Sequence, residues 1–415
     1  MGWRGRGARW VLVAGVVGLC ACRPDGPGAG DAETPEDAAS GADTAVDAAD
    51  AVEPLEPSLF AEGCPVPGRA TARLIESDLT RMDGPDAIGR TGDYLLMNEE
   101  AAFIIEAPER ANAYYYYGGI LVDAVAVEAC RQAGPERFGE LGIMMGVLKL
   151  DLVSSVLRAF RGTAAEVLSD GTDGGPAVVR VTGHDDRFWL VELELIRQAV
   201  SQGGAGSLSE PLGLDITVDY ILESGSPVLR VEVTYRNLLD QTLHLLSGAE
   251  AQFGDTATPR YFAGSRLEMA GFGLEQDVPW MSTSQGDGAW AIALAGGTLA
   301  TVNISGVTAL VDGSSLESGS GLAPAGTPGD SRTVTFFVSV GPFDANSAVA
   351  PLQAVTPSPL PGVSWEAVPV EGAVLDEATG DPLAGAVVDL QAQDGEGEWQ
   401  PLDSFVTRAD GTFSG

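Results

Sequence analysis

The stretch LRVEVTYRN, residues 229–237, decides the fold class of this 415-residue chain. Apolar residues occupy every second position, and charged or hydroxyl residues fill the positions between them. Successive side chains of a β-strand point to opposite faces, so this pattern predicts a strand with one face in a core and the other in water. The apolar face would carry Leu229, Val231, Val233 and Tyr235.

The same alternation recurs through the body of the chain, and clusters of Gly, Asp, Ser and Pro separate the alternating segments. The alternation indicates about fifteen strands between Arg73 and Val340. Only one short helix is expected, near residues 136–145. Many strands with short turns predict a mainly β protein, built as a large antiparallel supersandwich. Other clear alternating segments are residues 188–196, 215–222, 289–294 and 332–340.

The amino terminus has the features of an export signal. Arg4, Arg6 and Arg9 precede an apolar run of roughly ten residues, which is too short to span a membrane as a helix. The run ends in the sequence LCAC, residues 19–22, which resembles a bacterial lipobox. This resemblance implies cleavage after residue 21 and lipidation of Cys22. An ordinary secretory signal with a free Cys22 is the alternative.

Residues 22–58 form an acidic segment with almost no large apolar residue. Such a composition cannot bury enough surface to offset the entropy of ordering, so we expect a disordered tether. The whole chain has a formal net charge of −36, which repels nucleic acid, so no nucleic-acid partner is predicted. We therefore expect a lipid-anchored protein of the cell envelope, in the outer membrane and facing the periplasm or the cell surface.

Three segments resemble the galactose-mutarotase-like supersandwich family. They are residues 92–105, with Asn98 between two apolar stretches, the glycine-pair segment 118–123, and the segment 231–244 with Asn237. The resemblance covers about residues 85–340, within a predicted β-sandwich domain of residues 59–350. Mutarotases use a pair of histidines with a carboxylate, whereas this chain has only His184 and His244, so no catalytic residue is assigned. We expect a surface turn around His184 and a half-buried strand position for His244.

Residues 369–415 resemble a carboxypeptidase-regulatory-like module, a small prealbumin-like β-sandwich with a carbohydrate-binding-like fold. The resemblance rests on an alternating strand, the turn TGDP at residues 379–382 and the hairpin turn at Asp410 and Gly411. About four strands are present where such a module has about seven, so we expect an incomplete module. A proline-rich linker, residues 351–368, would precede it.

This order of segments resembles the front part of exported bacterial hydrolases of the polymerase-and-histidinol-phosphatase (PHP) type. The resemblance implies a second hypothesis, in which the catalytic domain of a metal-dependent hydrolase follows residue 415. In the first hypothesis the chain is a non-catalytic accessory region that binds glycans or a partner. No cofactor, metal ligand or catalytic residue is predicted within the chain, because it lacks the usual zinc-protease, serine-hydrolase and nucleotide-binding motifs.

Five residues are candidates for ligand contact: Glu106, Glu109, Tyr115, Tyr117 and Asp123. Carboxylates beside aromatic rings can bind or hydrolyse a sugar. In a strand, alternate members of the run YYYY, residues 114–117, would face opposite sides, so at most two would line one pocket. The acidic stretch 170–175 lacks the closing glutamate of a calcium loop and is predicted to be an ordinary loop.

Two of the four cysteines, Cys64 and Cys130, lie in the body of the predicted exported protein. An oxidising compartment permits a disulfide between them, but the sequence does not establish the necessary geometry. The sequence is compatible with both the bridged and the free forms.

Overall fold

The computed structural model describes residues 58–111, 114–147, 156–188, 211–252, 260–262, 265–267, 272–284, 288–304, 307–318, 320–356, 370–393 and 399–414. The predicted signal peptide, Cys22 and nearly all of the predicted tether lie outside these residues. So does most of the predicted strand 188–196, of which only Phe188 is described.

The described residues are mainly β, as the sequence predicted. The strands are β1 Thr71–Leu74, β2 Tyr94–Met97, β3 Ala101–Ile105, β4 Leu121–Glu128, β5 Arg131–Gln132, β6 Glu140–Val147, β7 Val156–Asp170, β8 Ala177–Arg187, β9 Leu214–Leu222, β10 Val228–Asn237, β11 Leu243–Gln252, β12 Arg260–Phe262, β13 Ser265–Leu267, β14 Phe272–Val278, β15 Trp280–Ser284, β16 Ala289–Leu294, β17 Leu299–Ile304, β18 Val307–Asp312, β19 Ser320–Leu322, β20 Ser331–Gly341, β21 Glu371–Ala373, β22 Val387–Gln393, β23 Trp399–Val406 and β24 Thr412–Ser414. Two helices accompany them, α1 Gly313–Ser318 and α2 Ala345–Val355.

Antiparallel pairings join β1 to β20 into two layers. In hydrogen-bonding order, one layer runs β1, β2, β3, β4, β6, β11, β18, β17, β14. The other runs β7, β8, β9, β10, β20, β16, β15, β12, β13. Strand β6 also pairs with β7 and so connects the layers. This is the predicted large antiparallel sandwich.

The layers enclose the main core. Strand β10 points Leu229, Val231, Val233 and Tyr235 inward, each fully buried, as its alternation predicted. Burial of one such side chain contributes about 1.5–3 kcal/mol. Two buried polar groups join the layers, because Trp290 Nε1 donates to Ala124 O (2.7 Å) and Tyr220 Oη donates to Gly119 O (3.0 Å).

Helix α2 covers the outer side of β16. Asp344 caps the helix by accepting from the Ser347 backbone N–H at 2.9 Å. The alanines of β16, Ala289, Ala291 and Ala293, pack against the helix, while the larger side chains of β16 face the main core. Both faces of β16 are therefore buried, rather than one face being exposed to water.

The sequence-based prediction of a helix at residues 136–145 is wrong. Residues 140–147 form β6, which pairs with β11 along its whole length. Several apolar residues in succession resemble a buried helix turn, but Gly142 disfavours a helix. Gly142 also makes room for the Tyr115 ring, because a Cβ added at residue 142 would lie 2.3 Å from that ring. A strand buried on both faces produces such a run without alternation.

The prediction of a surface turn around His184 is also wrong, because residues 184–186 continue β8. His184 is exposed, Asp185 is buried and Asp186 is intermediate, as expected for successive positions of a strand. His244 lies on β11 as predicted, but its side chain is exposed rather than half-buried. The predicted loop at 170–175 is a turn in which Asp170 Oδ1 accepts from the Thr172 N–H at 2.9 Å.

The carboxyl-terminal piece has four described strands. Strands β21 and β24 pair with each other, as do β22 and β23. Turns occur at both predicted places, with Gly380 and Gly411 at φ angles of 75° and 74°. Helix α2 includes residues 351–355, which the sequence had assigned to the linker, and Leu352 is fully buried.

Candidate functional site

The five predicted contact residues lie near one end of the sandwich, around the segment that joins β3 to β4. Glu106 directly follows β3, Tyr115 and Tyr117 lie in the connecting loop, and Asp123 lies in β4. Glu106, Tyr115 and Asp123 have at most 2% of their surface exposed, whereas Glu109 is exposed and Tyr117 is partly buried. The structure therefore divides the predicted set between core and surface.

Asp123 fixes the loop that leads to β2. Its Oδ1 accepts from the Ile88 N–H at 3.0 Å, and its Oδ2 accepts from the Gly89 N–H at 2.8 Å. A Cβ on residue 89 would lie 2.5 Å from Asp123 Oδ2, so the close approach requires glycine. Both carboxylate oxygens are thus occupied by backbone donors.

Tyr115 anchors the connecting loop. Its backbone N–H donates to Glu140 Oε1 at 2.6 Å, and its hydroxyl donates toward Ile143 O (2.5 Å) and Phe160 O (3.1 Å). The ring meets Tyr117 edge-on, with ring centroids 6.2 Å apart. Tyr115 is therefore a structural anchor, and a bound ligand at the surface would not reach its ring.

Asp123 belongs to a series of buried carboxyl groups. Its six members are exposed by at most 3% and are Asp93, Glu106, Asp123, Glu136, Glu140 and Glu250. Burial raises the pKa of Asp123 to about 7 and that of Glu140 to about 8, and neighbouring carboxylates reinforce both shifts. Burial also raises the pKa of Glu136 well above its usual value and raises that of Asp93.

Most of these carboxyl groups accept backbone hydrogen bonds from loops at this end of the sandwich. Asp93 accepts from the N–H groups of Arg90 and Ala107, both at 2.9 Å, and its side chain also meets Arg110 at 3.2 Å. Glu136 Oε1 accepts from the Phe138 N–H at 2.7 Å. Groups held in this way position loops, and they do not face solvent where a substrate could bind.

The surface of the connecting loop is formed by the tyrosines that the sequence-based assignment omitted. Tyr114 is 44% exposed and Tyr116 is 53% exposed, in contrast to the buried Tyr115 between them. The loop is not a strand, yet its side chains alternate between core and water. Four identical residues show no alternation in the sequence, so nothing in the run distinguishes the exposed tyrosines from the buried Tyr115.

Polar side chains of β7 and β8 border the same loop. The guanidinium of Arg161 lies 5.6 Å from the centre of the Tyr117 ring, within the range of a cation–π contact. Arg161 Nη1 also pairs with Asp186 Oδ2 at 2.9 Å. The Gly162 N–H donates to Gly118 O at 3.2 Å, so backbone contacts hold the loop against β7.

The structure joins Cys64 and Cys130 in a disulfide with a Cα–Cα distance of 5.4 Å. This distance lies in the ordinary range for a disulfide. Among the described residues, no group of three or more His, Cys, Asp or Glu side chains is arranged to hold a metal ion. None of the helices in the described part is long and apolar enough to cross a membrane.

No known protein family and no curated protein matches this sequence. Solved structures with partial likeness include an α-mannosidase from Enterococcus faecalis V583, at 11% identity and a TM-score of 0.38, where the match covers 72% of this chain and 37% of the other. The Slr1438 protein from Synechocystis sp. PCC 6803 matches at 14% identity and a TM-score of 0.34, over 61% of this chain and 96% of the other.

The GH36 α-galactosidase AgaA from Geobacillus stearothermophilus matches at 10% identity and a TM-score of 0.37, over 62% of this chain and 41% of the other. This chain therefore spans less than half of the mannosidase and galactosidase chains that it matches. Likeness at this level assigns neither a family nor an activity to the chain.

Proposed function

We propose that this chain is an exported, lipid-anchored β protein that acts as a non-catalytic binding or accessory region. One observation carries the non-catalytic part of the proposal. Three acidic side chains beside the tyrosine loop, Glu106, Asp123 and Glu140, are buried, and the last two accept hydrogen bonds from backbone N–H groups. Acid or base catalysis requires such a group within hydrogen-bonding reach of a substrate.

The proposed anchor is a lipid on Cys22. The sequence LCAC supports it, because cleavage after Ala21 would place Cys22 at the new amino terminus. Each buried methylene of an acyl chain contributes about 0.8 kcal/mol, so a cysteine with several chains would bind a membrane stably. The acidic residues 22–58 would hold the sandwich away from the surface of the outer membrane, which is the proposed location.

Replacement of Cys22 tests the anchor. In bacteria supplied with a labelled fatty acid, we expect Cys22→Ala to abolish the label on the protein and to stop cleavage at residue 21. Cys20→Ala is the matched control and should retain both label and membrane association, since Cys20 lies before the cleavage point. Persistent label on the Cys22→Ala variant would contradict the proposal.

The alternative of a downstream PHP-type hydrolase domain stays a prediction from the sequence resemblance. Nothing in the described part of the chain favours it. The proposed partners of the chain are the membrane, through the lipid, and a ligand of the β domain such as a glycan.

A further inference from the structure

We propose that Tyr114 and Tyr116 form an aromatic platform that binds a neutral glycan, with the Arg161–Asp186 pair bordering the same loop at Tyr117. The inference rests on the proposed binding role and names its surface and ligand class. The platform differs from the set predicted from sequence, because it uses the exposed tyrosines in place of the buried Tyr115.

The first argument is the exposure of two large aromatic side chains in one short loop. Tyr114 and Tyr116 leave 44% and 53% of their surface in contact with solvent. A tyrosine offers a rigid apolar ring with a polar hydroxyl at its edge, which suits a ligand with both apolar and polar faces. A pyranose ring has C–H groups on its faces and hydroxyl groups around its rim.

The second argument is that the platform is held in place before any ligand arrives. Tyr115, between the two exposed tyrosines, makes hydrogen bonds through its backbone N–H and its hydroxyl inside the core. Behind the tyrosines, the Gly119 N–H donates to Glu106 O at 3.0 Å. An added Cβ at residue 118 would lie 2.1 Å from Ala107 O, so this return of the chain requires glycine. Binding to a fixed loop avoids much of the entropy cost of ordering it.

The third argument is the polar border. Tyr117, next to Tyr116 in the chain, lies under the Arg161 guanidinium, and Arg161 pairs with Asp186. The Arg161 side chain is 53% exposed and His184 is its exposed cross-strand neighbour. Hydrogen-bond donors and acceptors therefore border the loop at Tyr117, where they could serve the hydroxyl groups of a sugar that extends past the platform.

Charge selects the ligand class. The chain has a formal net charge of −36, and Arg161 is already paired with a carboxylate. Such a protein repels uronic-acid polymers and phosphorylated glycans. We therefore assign a neutral polysaccharide rather than an anionic one to this surface.

The test uses the full chain, extracted in a detergent that contains no sugar, and calorimetric titration with neutral hexasaccharides of glucose, mannose and xylose. Oligogalacturonate serves as the anionic probe. We expect at least one neutral probe to bind. Affinity should fall at least about tenfold in the double variant Tyr114→Ala/Tyr116→Ala and should largely persist in Tyr114→Phe/Tyr116→Phe. Leu238→Ala, which changes an exposed apolar residue elsewhere, should bind like the unchanged protein.

Failure of all neutral probes, binding of oligogalacturonate alone, or an unchanged affinity in the double alanine variant would each overturn the inference. Both tyrosines are exposed, so thermal unfolding of the variants should match that of the unchanged protein. Lipid labelling at Cys22 is measured separately. A labelled chain that binds none of the neutral probes would thus refute the glycan platform and leave the anchor in place.

Discussion

Arg158 and Asp185 form a fully buried ion pair at the open end of the β7–β8 hairpin. Arg158 Nε lies 2.9 Å from Asp185 Oδ2, and each side chain is only 1% exposed. Asp185 also accepts from the backbone N–H groups of Leu212 (2.6 Å) and Leu214 (3.2 Å). Loss of Arg158 would leave the buried charge of Asp185 without its ion-pair partner, with only backbone donors to compensate it.

We expect Arg158→Ala to lower the free energy of unfolding by about 3–5 kcal/mol. Three residues further along β7, Arg161 pairs with Asp186 at the surface at the same distance of 2.9 Å, so Arg161→Ala is a matched control. Its expected cost is below about 1 kcal/mol, because water screens an exposed pair. Urea unfolding of both variants measures the difference, and equal costs would show that burial does not govern these pairs.

The two asparagines of the sequence resemblance are also structural. Asn98 Nδ2 donates to Glu223 O and Ser226 O, both at 2.8 Å, and Asn98 Oδ1 accepts from the N–H groups of Glu100 and Ala101. Asn237 is similarly buried, and its side-chain amide donates to two backbone carbonyls. Each asparagine joins two separate turns, so the motif reflects turn geometry rather than catalysis.

At the scale of elements, the hairpin between β4 and β5 is unusual. Its two-residue turn consists of Ala129 and Cys130, with φ angles of 48° and 62°. Positive φ at both positions is the type I′ geometry, which favours Asn-Gly. For other residues this conformation costs roughly 1–2 kcal/mol. The disulfide to Cys64 connects this turn with the segment before β1.

Ala129→Gly should therefore stabilise the protein by about 0.5–1 kcal/mol, since glycine adopts positive φ without steric cost. Ala350→Gly, at an exposed position inside α2, is the control with the opposite expected sign, a loss of about 0.5–1 kcal/mol. Thermal unfolding with the disulfide intact measures both changes. A destabilised Ala129→Gly variant would exclude steric cost in this turn.

At the scale of the whole molecule, the buried carboxyl groups make stability depend on pH. Their pKa values are raised in the folded protein, to about 7 for Asp123 and about 8 for Glu140. The folded state therefore retains protons that the unfolded chain would release. This contribution to stability is fully present below the ordinary carboxyl pKa of about 4 and is lost as the pH rises to about 8.

We expect the free energy of unfolding to fall by at least about 2 kcal/mol between pH 5 and pH 8. Glu140→Gln should reduce this slope, because the amide oxygen can still accept from Tyr115 N–H but the side chain no longer titrates. Glu109→Gln, at an exposed position nearby, should leave the slope unchanged. Stability that rises steadily from pH 5 to pH 8 would show that these groups do not hold their protons in the folded state.

The sequence by itself determined the fold class and the positions of several strands, although its estimate of about fifteen strands fell short of the twenty described strands from β1 to β20. The alternation in residues 229–237 correctly predicted β10 and its inward face. The turn sequences that contain Gly380 and Gly411 correctly predicted two turns. These features are local, because strand periodicity and positive φ depend on neighbouring residues. Prediction failed for β6, where both faces are buried and no alternation remains.

Only the tertiary structure decided which candidate side chains face solvent. Residues Glu106 and Asp123 look like accessible acids in the sequence, but β3 and β4 place both in the core. In the run of four tyrosines, either Tyr114 and Tyr116 or Tyr115 and Tyr117 could face the core. The contacts of Tyr115 with Glu140, Ile143 and Phe160 bury Tyr115 and leave Tyr114 and Tyr116 exposed. Such contacts join residues 25 to 45 positions apart. Local pattern carries no information about them, because burial depends on how distant strands pack.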